Sequence, residues 1–304
     1  MRIKRLVDKS NIQYIAIEQG GAWKVINRGV TLLEILRKSE SEIAALPLSD
    51  YDAKNYTELI PLKPMAYRDF MLYEKHAIDA ARGFVKKYMS GLFPIVKAYE
   101  SILGKPLPKL KPKKRYYQYP IYYMGNHLNF ISNEDTITIP AYTKELDYEL
   151  ELAAVITKPL KNASIEEVND AIGGFMILND FSARDVQLSE IETGFGSMKT
   201  KNFGSAISAI VVHKEALMQQ LDDLKTKVII NDKLIVESST KDKIFSFQEA
   251  IAYASWEEQL HAGEIFGSGT IPGCTGIENG VMLKQGDTIT LEVEGIGQLT
   301  NRVV

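Results

Sequence analysis

The chain has a single cysteine, Cys274, in 304 residues. That excludes an intrachain disulfide and any cysteine-cluster metal centre, and it fits a reducing compartment. Long apolar runs are missing too, so nothing approaches the length that crosses a bilayer. The basic start, MRIKRLVDKSN, leads into neither an apolar stretch nor a cleavage-like site, so a cytoplasmic protein is expected. Charge of one sign is not in excess: the net charge is −3 and the pI about 5.9. A nucleic-acid partner is therefore not expected. The densest basic stretch, KLKPKKR at 109–115, is broken by proline and reads as a solvated linker. GSGT at 267–270 lacks the glycine spacing and lysine of a phosphate loop, and no internal repeat is visible.

What is present is an ordinary globular composition, 45% hydrophobic and 25% charged, long enough for one large domain or a large and a small one. Residues 12–27 alternate around Gly20-Gly21 and predict a hairpin. The segments 31–46 and 67–103 carry apolar residues at three- and four-residue spacings and predict helices. The Pro/Lys-rich stretch 104–120 marks the best boundary, giving 1–105 and 106–304 as the expected parts. From about 120 onward short apolar segments separated by turn residues predict strands, with Asn231-Asp232 as a tight hairpin. Two helices interrupt them, one behind Ser164 with Glu167 three residues on, the other beginning at Ser246. Few helices among many strands argue for an α+β, β-rich fold with a mixed or antiparallel core.

One strand carries a contradiction. In LDYELELAAVI, 146–156, Glu149 and Glu151 stand two apart and share a face, while Leu150 and Leu152 take the other. Two carboxylates ~4 Å apart repel by roughly 4 kcal/mol even at an effective dielectric near 20. A divalent cation, a shared proton or solvent would offset that. On this stretch alone a solvated edge and a cation site stand level. Asp180, ending the apolar run GGFMILND, adds a third acid, and the polar turn after it brings Arg184 and Gln187, a grouping suited to an anionic ligand. Oxygen ligands without Cys or His select a hard cation, Mg²⁺, Mn²⁺ or Ca²⁺, over zinc.

YELELAAVI, NDFSARDVQ, KNFGSAIS and GSGTIPG…GDTITLEVEGIGQLTN stand in the order of the fumarylacetoacetate hydrolase (FAH) superfamily, which the chain resembles over roughly residues 60–304. The resemblance implies a catalytic domain of mixed, rolled β-sheets, here preceded by a small N-terminal α/β segment in which the helix carrying His76, punctuated by Gly83 and Gly91, is expected to act as a lid. It also implies a homodimer, a divalent cation, most often Mg²⁺, and a small 2-oxo acid substrate. Carried over residue by residue, Glu149, Glu151 and Asp180 match the metal carboxylates. RDFMLYEKHA matches a segment supplying a further metal ligand, Asp69, and a general base, His76. Lys201 matches the site lysine. Tyr123, Arg184, Gln187, Gly269 and Thr270 match substrate-binding positions.

The glutamate that orients the histidine in fumarylacetoacetase would fall, without gaps, at Lys284. Other family hydrolases use an acid three residues after the histidine, which makes Asp79 the expected partner. His127 is the rival base, and Cys274 has nothing nearby to activate it. The implied activity is metal-dependent hydrolysis of a C–C bond in a 2-oxo or 1,3-dicarbonyl acid, such as an acylpyruvate. The alternative is a lyase or isomerase using the same enolate chemistry: decarboxylation, sugar-acid dehydration or tautomerisation.

Overall fold

The computed structural model describes residues 1–26 and 29–304. A large sheet runs through it in the order Leu48–Asp50, Ala22–Ile26, Gln13–Gln19, Arg2–Asp8, Ile210–His213, Ile172–Asn179, Leu150–Ile156, Ile265–Gly267, Tyr67–Phe70, Tyr122–Gly125. A five-stranded sheet, Lys233–Ser239, Lys225–Ile230, Thr288–Val293, Gly297–Val303 and Thr136–Ile137, lies beside it. The fold is α+β and strand-rich, as expected.

The apolar run that holds Glu151 is continuous because both of its faces are covered. Leu150, Leu152, Ala154 and Ile156 cluster with Val228, Leu291 and Leu299 of the smaller sheet. Ala153 and Val155 pack with Leu32, Ile35 and Leu36 of the short helix Leu32–Leu36. Every residue of Leu150–Ile156 is buried. The solvated-edge reading of Glu151 is thereby removed.

The first strands are not separate from this core. Arg2–Asp8 pairs antiparallel with Ile210–His213, so the large sheet spans both sides of residue 105. The hairpin expected at 12–27 is seen as Gln13–Gln19 paired with Ala22–Ile26, with residue 27 outside the described residues. The Asn231-Asp232 turn joins Lys225–Ile230 to Lys233–Ser239, both turn residues at positive φ, as a tight two-residue hairpin demands.

Two expectations need correction. The helix expected over 67–103 begins later: Tyr67–Phe70 is a buried strand, parallel to Ile265–Gly267, and the helices are Glu74–Tyr88 and Phe93–Leu103. Pairing in the sheet overrides a periodicity that four residues are too few to define. Arg184 and Gln187 lie on a helix, Arg184–Glu192, not in a turn. Glu74–Tyr88 is seated at Gly83, where a Cβ would stand 2.1 Å from the Ile277 carbonyl oxygen. Only glycine lets this helix approach the short helix Gly276–Asn279 so closely.

Candidate active site

Three strands deliver three acids to one point. Asp69 on Tyr67–Phe70, Glu151 on Leu150–Ile156 and Asp180 just past Ile172–Asn179 offer carboxylate oxygens that all lie within 4.8 Å of one another. All three are buried. Burial and the neighbouring Asp180 charge push the Asp69 carboxyl well above its ordinary range. Burial, Asp69 and Asp180 do the same to Glu151. Asp180 is raised by burial and by Glu149, against the pull of Lys201. Asp69 Oδ1 and Glu151 Oε1 are buried with no hydrogen-bond partner. Orphaned acceptors in an all-oxygen donor set fit a hard divalent cation.

Glyine packing keeps the cluster tight. A Cβ at Gly267 would stand 2.3 Å from Asp69 Oδ1 and 2.8 Å from Glu151 Oε2. Gly269, at φ +75°, donates its N–H to Glu151 Oε2 at 3.1 Å, and a Cβ there would collide with the Phe70 carbonyl. Tyr123 donates its hydroxyl to Asp180 Oδ2 at 2.8 Å, and Ser205 donates to Asp180 Oδ1 at 3.2 Å.

Glu149 faces the same cavity but keeps different company. It accepts from Arg184 Nη2 at 2.6 Å and from the Lys201 ammonium, which also lies 2.6 Å from Asp180 Oδ2. Burial would raise the Glu149 pKa, but the two cations outweigh it and hold the group below its ordinary range. Burial works against the charged Lys201, yet Asp180 and Glu149 keep its pKa above the usual lysine value. Like charge on one face of the strand therefore meets two environments, the cations Arg184 and Lys201 at Glu149 and, at Glu151, a carboxyl cluster that could hold a divalent cation.

Arg184, expected at the substrate, lines the cavity and is also a buried organiser. Its Nε donates to Asp147 Oδ2 at 2.8 Å, Nη1 to Gln187 Oε1 at 2.6 Å, and Nη2 to Glu149 and to Thr275 Oγ1 at 3.2 Å. Of five guanidinium N–H donors, one on Nη1 remains. Asp147 was missed. It also accepts from Thr275 Oγ1 and from the backbone N–H groups of Gly276 and Ile277, tying Arg184 to the helix Gly276–Asn279. Its signal was there: Asp147, Glu149 and Glu151 all fall on one face of an alternating stretch.

The partner of His76 is Glu278. His76 Nδ1 and Glu278 Oε1 are 2.5 Å apart, with both side chains buried. Glu278 Oε2 accepts from the Gly273 N–H at 2.7 Å. A carboxylate only accepts, so Nδ1 carries a proton, and in the neutral ring Nε2 is the nitrogen with the lone pair. Asp79 is corrected: it turns away on its helix, paired with Lys75 and Arg82. Lys75, four residues before it, and Arg82, three after, claim its carboxylate on the same helix, while Glu278 takes the imidazole. Lys284, the position reached without gaps, lies in a turn with its N–H on Asp287.

His76, Asp69, Tyr123, Glu149, Glu151, Arg184, Gln187, Lys201, Gly269 and Thr270 line one cavity of about 450 Å³. Asp180 sits behind Tyr123 and Lys201. His127, Asp79 and Cys274 are not among the residues lining it. Cys274 is buried, and burial pushes its thiol up to about 12, so it is inert. No helix among the described residues is long and apolar enough to cross a membrane.

Residues 96–304 match the family model for the fumarylacetoacetate (FAA) hydrolase C-terminal domain. An uncharacterised Methanocaldococcus jannaschii protein, MJ1656, is 34% identical over 188 residues, 61% of this chain and 73% of that one. The oxaloacetate tautomerase YisK of Bacillus subtilis is 35% identical over 162 residues, 53% of this chain and 53% of its own. The match thus spans about half the length of that relative. Among solved structures, the fumarylacetoacetate hydrolase of Exiguobacterium antarcticum superposes with a TM-score of 0.73 at 21% identity, covering 100% of this chain and 99% of that one. At that identity the likeness speaks for the fold.

Proposed function

This chain belongs to the fumarylacetoacetate hydrolase family, and we propose that within it the protein is a divalent-cation-dependent enzyme that enolises a 2-oxo acid, a tautomerase or isomerase in reaction class. The observation that carries this is that Asp69 and Glu151 of the acid cluster and His76 of the His76–Glu278 pair line one cavity. The name of the Bacillus relative points to the same class.

Asp69, Glu151 and Asp180 would hold the cation, most simply Mg²⁺, with Glu149 next to them. When bound, it would supply Lewis acidity that stabilises negative charge on the substrate's 2-oxo oxygen. His76 Nε2 would take a proton from the carbon next to that group, with Glu278 steadying the imidazolium. The Lys201 ammonium, held protonated by Glu149 and Asp180, would donate to the developing oxyanion, and a solvent proton on oxygen completes the enol. Gly269, Thr270 and the remaining N–H of Arg184 would orient the carboxylate.

A second reading is favoured by the pair itself. The same His76–Glu278 base can activate water against a distal carbonyl, in which case a C–C bond breaks and the enolate is the leaving group. That would be the acylpyruvate hydrolase. Under either reading the helix Glu74–Tyr88, which carries His76 and walls the cavity, would serve as its lid over the 106–304 catalytic part, and two copies of the chain would form the working unit.

Purified protein with Mg²⁺ should be assayed for ketonisation of enol-oxaloacetate and for cleavage of acylpyruvates. Catalysis of the first and loss of it in His76→Ala supports the tautomerase. Cleavage that depends on His76 moves the assignment to the hydrolase. Activity on neither, with no proton exchange at C3 of any 2-oxo acid, overturns both.

A further inference from the structure

The cavity has a polar floor and apolar walls, and the walls say what hangs from the 2-oxo acid. Helix Glu74–Tyr88 turns one stripe to the cavity: after His76 come Ala77, Ala80, Ala81 and Phe84, at the spacing of one helical face. Helix Arg184–Glu192 presents Arg184, Gln187 and then Ile191. Met71 and Ile121 line the cavity while 39% exposed, and Ile191 while 48% exposed, so these three form its mouth.

Charge is missing from those walls. Among the described residues lining the cavity, the permanent cations are Arg184 and Lys201, and both are buried at the floor. Lys201 is shared between Glu149 and Asp180, while Arg184 is held by Asp147, Glu149 and Gln187. A second carboxylate lying between Phe84 and Ile191 would lose water, and the cation nearest to it, Arg184, 5.8 Å from the Phe84 ring, is already neutralised by Asp147 and Glu149, which makes the charge costly. An alkyl or aryl group there would lose only its hydration. A four-carbon diacid would moreover occupy the floor and leave most of the 450 Å³ unfilled.

We propose that the substrate is a 2-oxo acid with an uncharged, apolar substituent of several carbons. Its head sits at the acid cluster, and its tail runs between the Ala77–Phe84 stripe and the Ile191, Met71 and Ile121 rim. The proposal rests on the enolising reading of the head site and adds the substrate class that the reading leaves open.

Calorimetry with Mg²⁺ present, using oxamate, N-propyl-, N-hexyl- and N-(2-carboxyethyl)oxamate, separates the two claims. Each added methylene should tighten binding about three- to fourfold until the cavity is filled. The carboxyethyl probe should bind at least tenfold more weakly than the N-propyl one of similar length. Ile191→Arg, at a half-exposed helix position that tolerates a long side chain, should reverse that order. Equal or tighter binding of the carboxylate-tailed probe by the natural chain, or no gain along the alkyl series, overturns the apolar tail while leaving the head site standing. If oxamate and oxalate themselves fail to bind in Mg²⁺, the head site falls and the tail with it.

Discussion

Glu278→Gln tests the least expected feature of the site with almost no change of volume. The carboxylate has two tasks: one oxygen faces His76 Nδ1 at 2.5 Å and the other accepts the Gly273 N–H at 2.7 Å. An amide cannot do both. With its oxygen toward His76, its NH₂ opposes the Gly273 N–H, donor against donor in a buried place. With its oxygen toward Gly273, its NH₂ faces Nδ1, which must then accept, so the ring proton moves to Nε2 and the base is lost. The first arrangement strands a buried donor, about 1–3 kcal/mol, and the second removes general-base catalysis. The second leaves no buried donor unpaired and should dominate, so turnover should fall by about 10²–10⁴-fold, the usual worth of such a base. Ketonisation of enol-oxaloacetate, followed by loss of enol absorbance with Mg²⁺ saturating, is the assay, run beside cleavage of the preferred acylpyruvate. Asp79→Asn, at a residue paired on the helix surface with Lys75 and Arg82, should stay within twofold of the natural chain. Full turnover in Glu278→Gln together with a collapse in Asp79→Asn would refute the pairing and restore the acid three residues along the helix.

Chelation should abolish activity, and Mg²⁺ or Mn²⁺ should restore it; Glu151→Gln should weaken cation binding measured by calorimetry, and full activity in excess chelator would remove the cation from the reaction. The Asp69 and Glu151 carboxyls are raised in the folded chain, so between their unfolded and folded pKa values the native state holds more protons than the unfolded one. Stability of the cation-free protein should therefore fall as pH rises above the ordinary carboxylate range, and added Mg²⁺ should flatten that slope in thermal melts; a melting temperature indifferent to both would count against the cluster. Gly83→Ala should push helix Glu74–Tyr88 off the Ile277 carbonyl, costing about 1–3 kcal/mol and lowering activity through a misplaced His76, as denaturant melts and kinetics would show. Asp147→Ala leaves Arg184 buried without its main partner and should destabilise the fold by about 3–5 kcal/mol; an unchanged melt would deny Arg184 its organising role.

The sequence makes some of this site legible and hides the rest for identifiable reasons. Glu151 and Asp180 stand out because strand alternation and an acid at the end of an apolar run are local signals. Asp69 joins the acid cluster from an element other than the expected helix: its four-residue strand is held by Ile265–Gly267, some two hundred residues away, and no local periodicity can announce that pairing. Glu278 is hidden further. It stands six positions before Lys284 (284 − 278), so a register carried without gaps passes it by, and its helix, Gly276–Asn279, is a single turn. What places it is long-range chemistry. Asp147 accepts the N–H groups of Gly276 and Ile277, Gly83 lets the His76 helix reach the Ile277 carbonyl, and Gly280, at φ +84°, ends the turn just past Glu278. The acid that steadies the histidine is thus held by the same aspartate that holds Arg184, and Arg184 in turn holds Glu149 beside the acid cluster. The His76–Glu278 pair and the acid cluster are two ends of one buried network, which is why a reading that found the acids and the histidine could still assign the histidine the wrong partner.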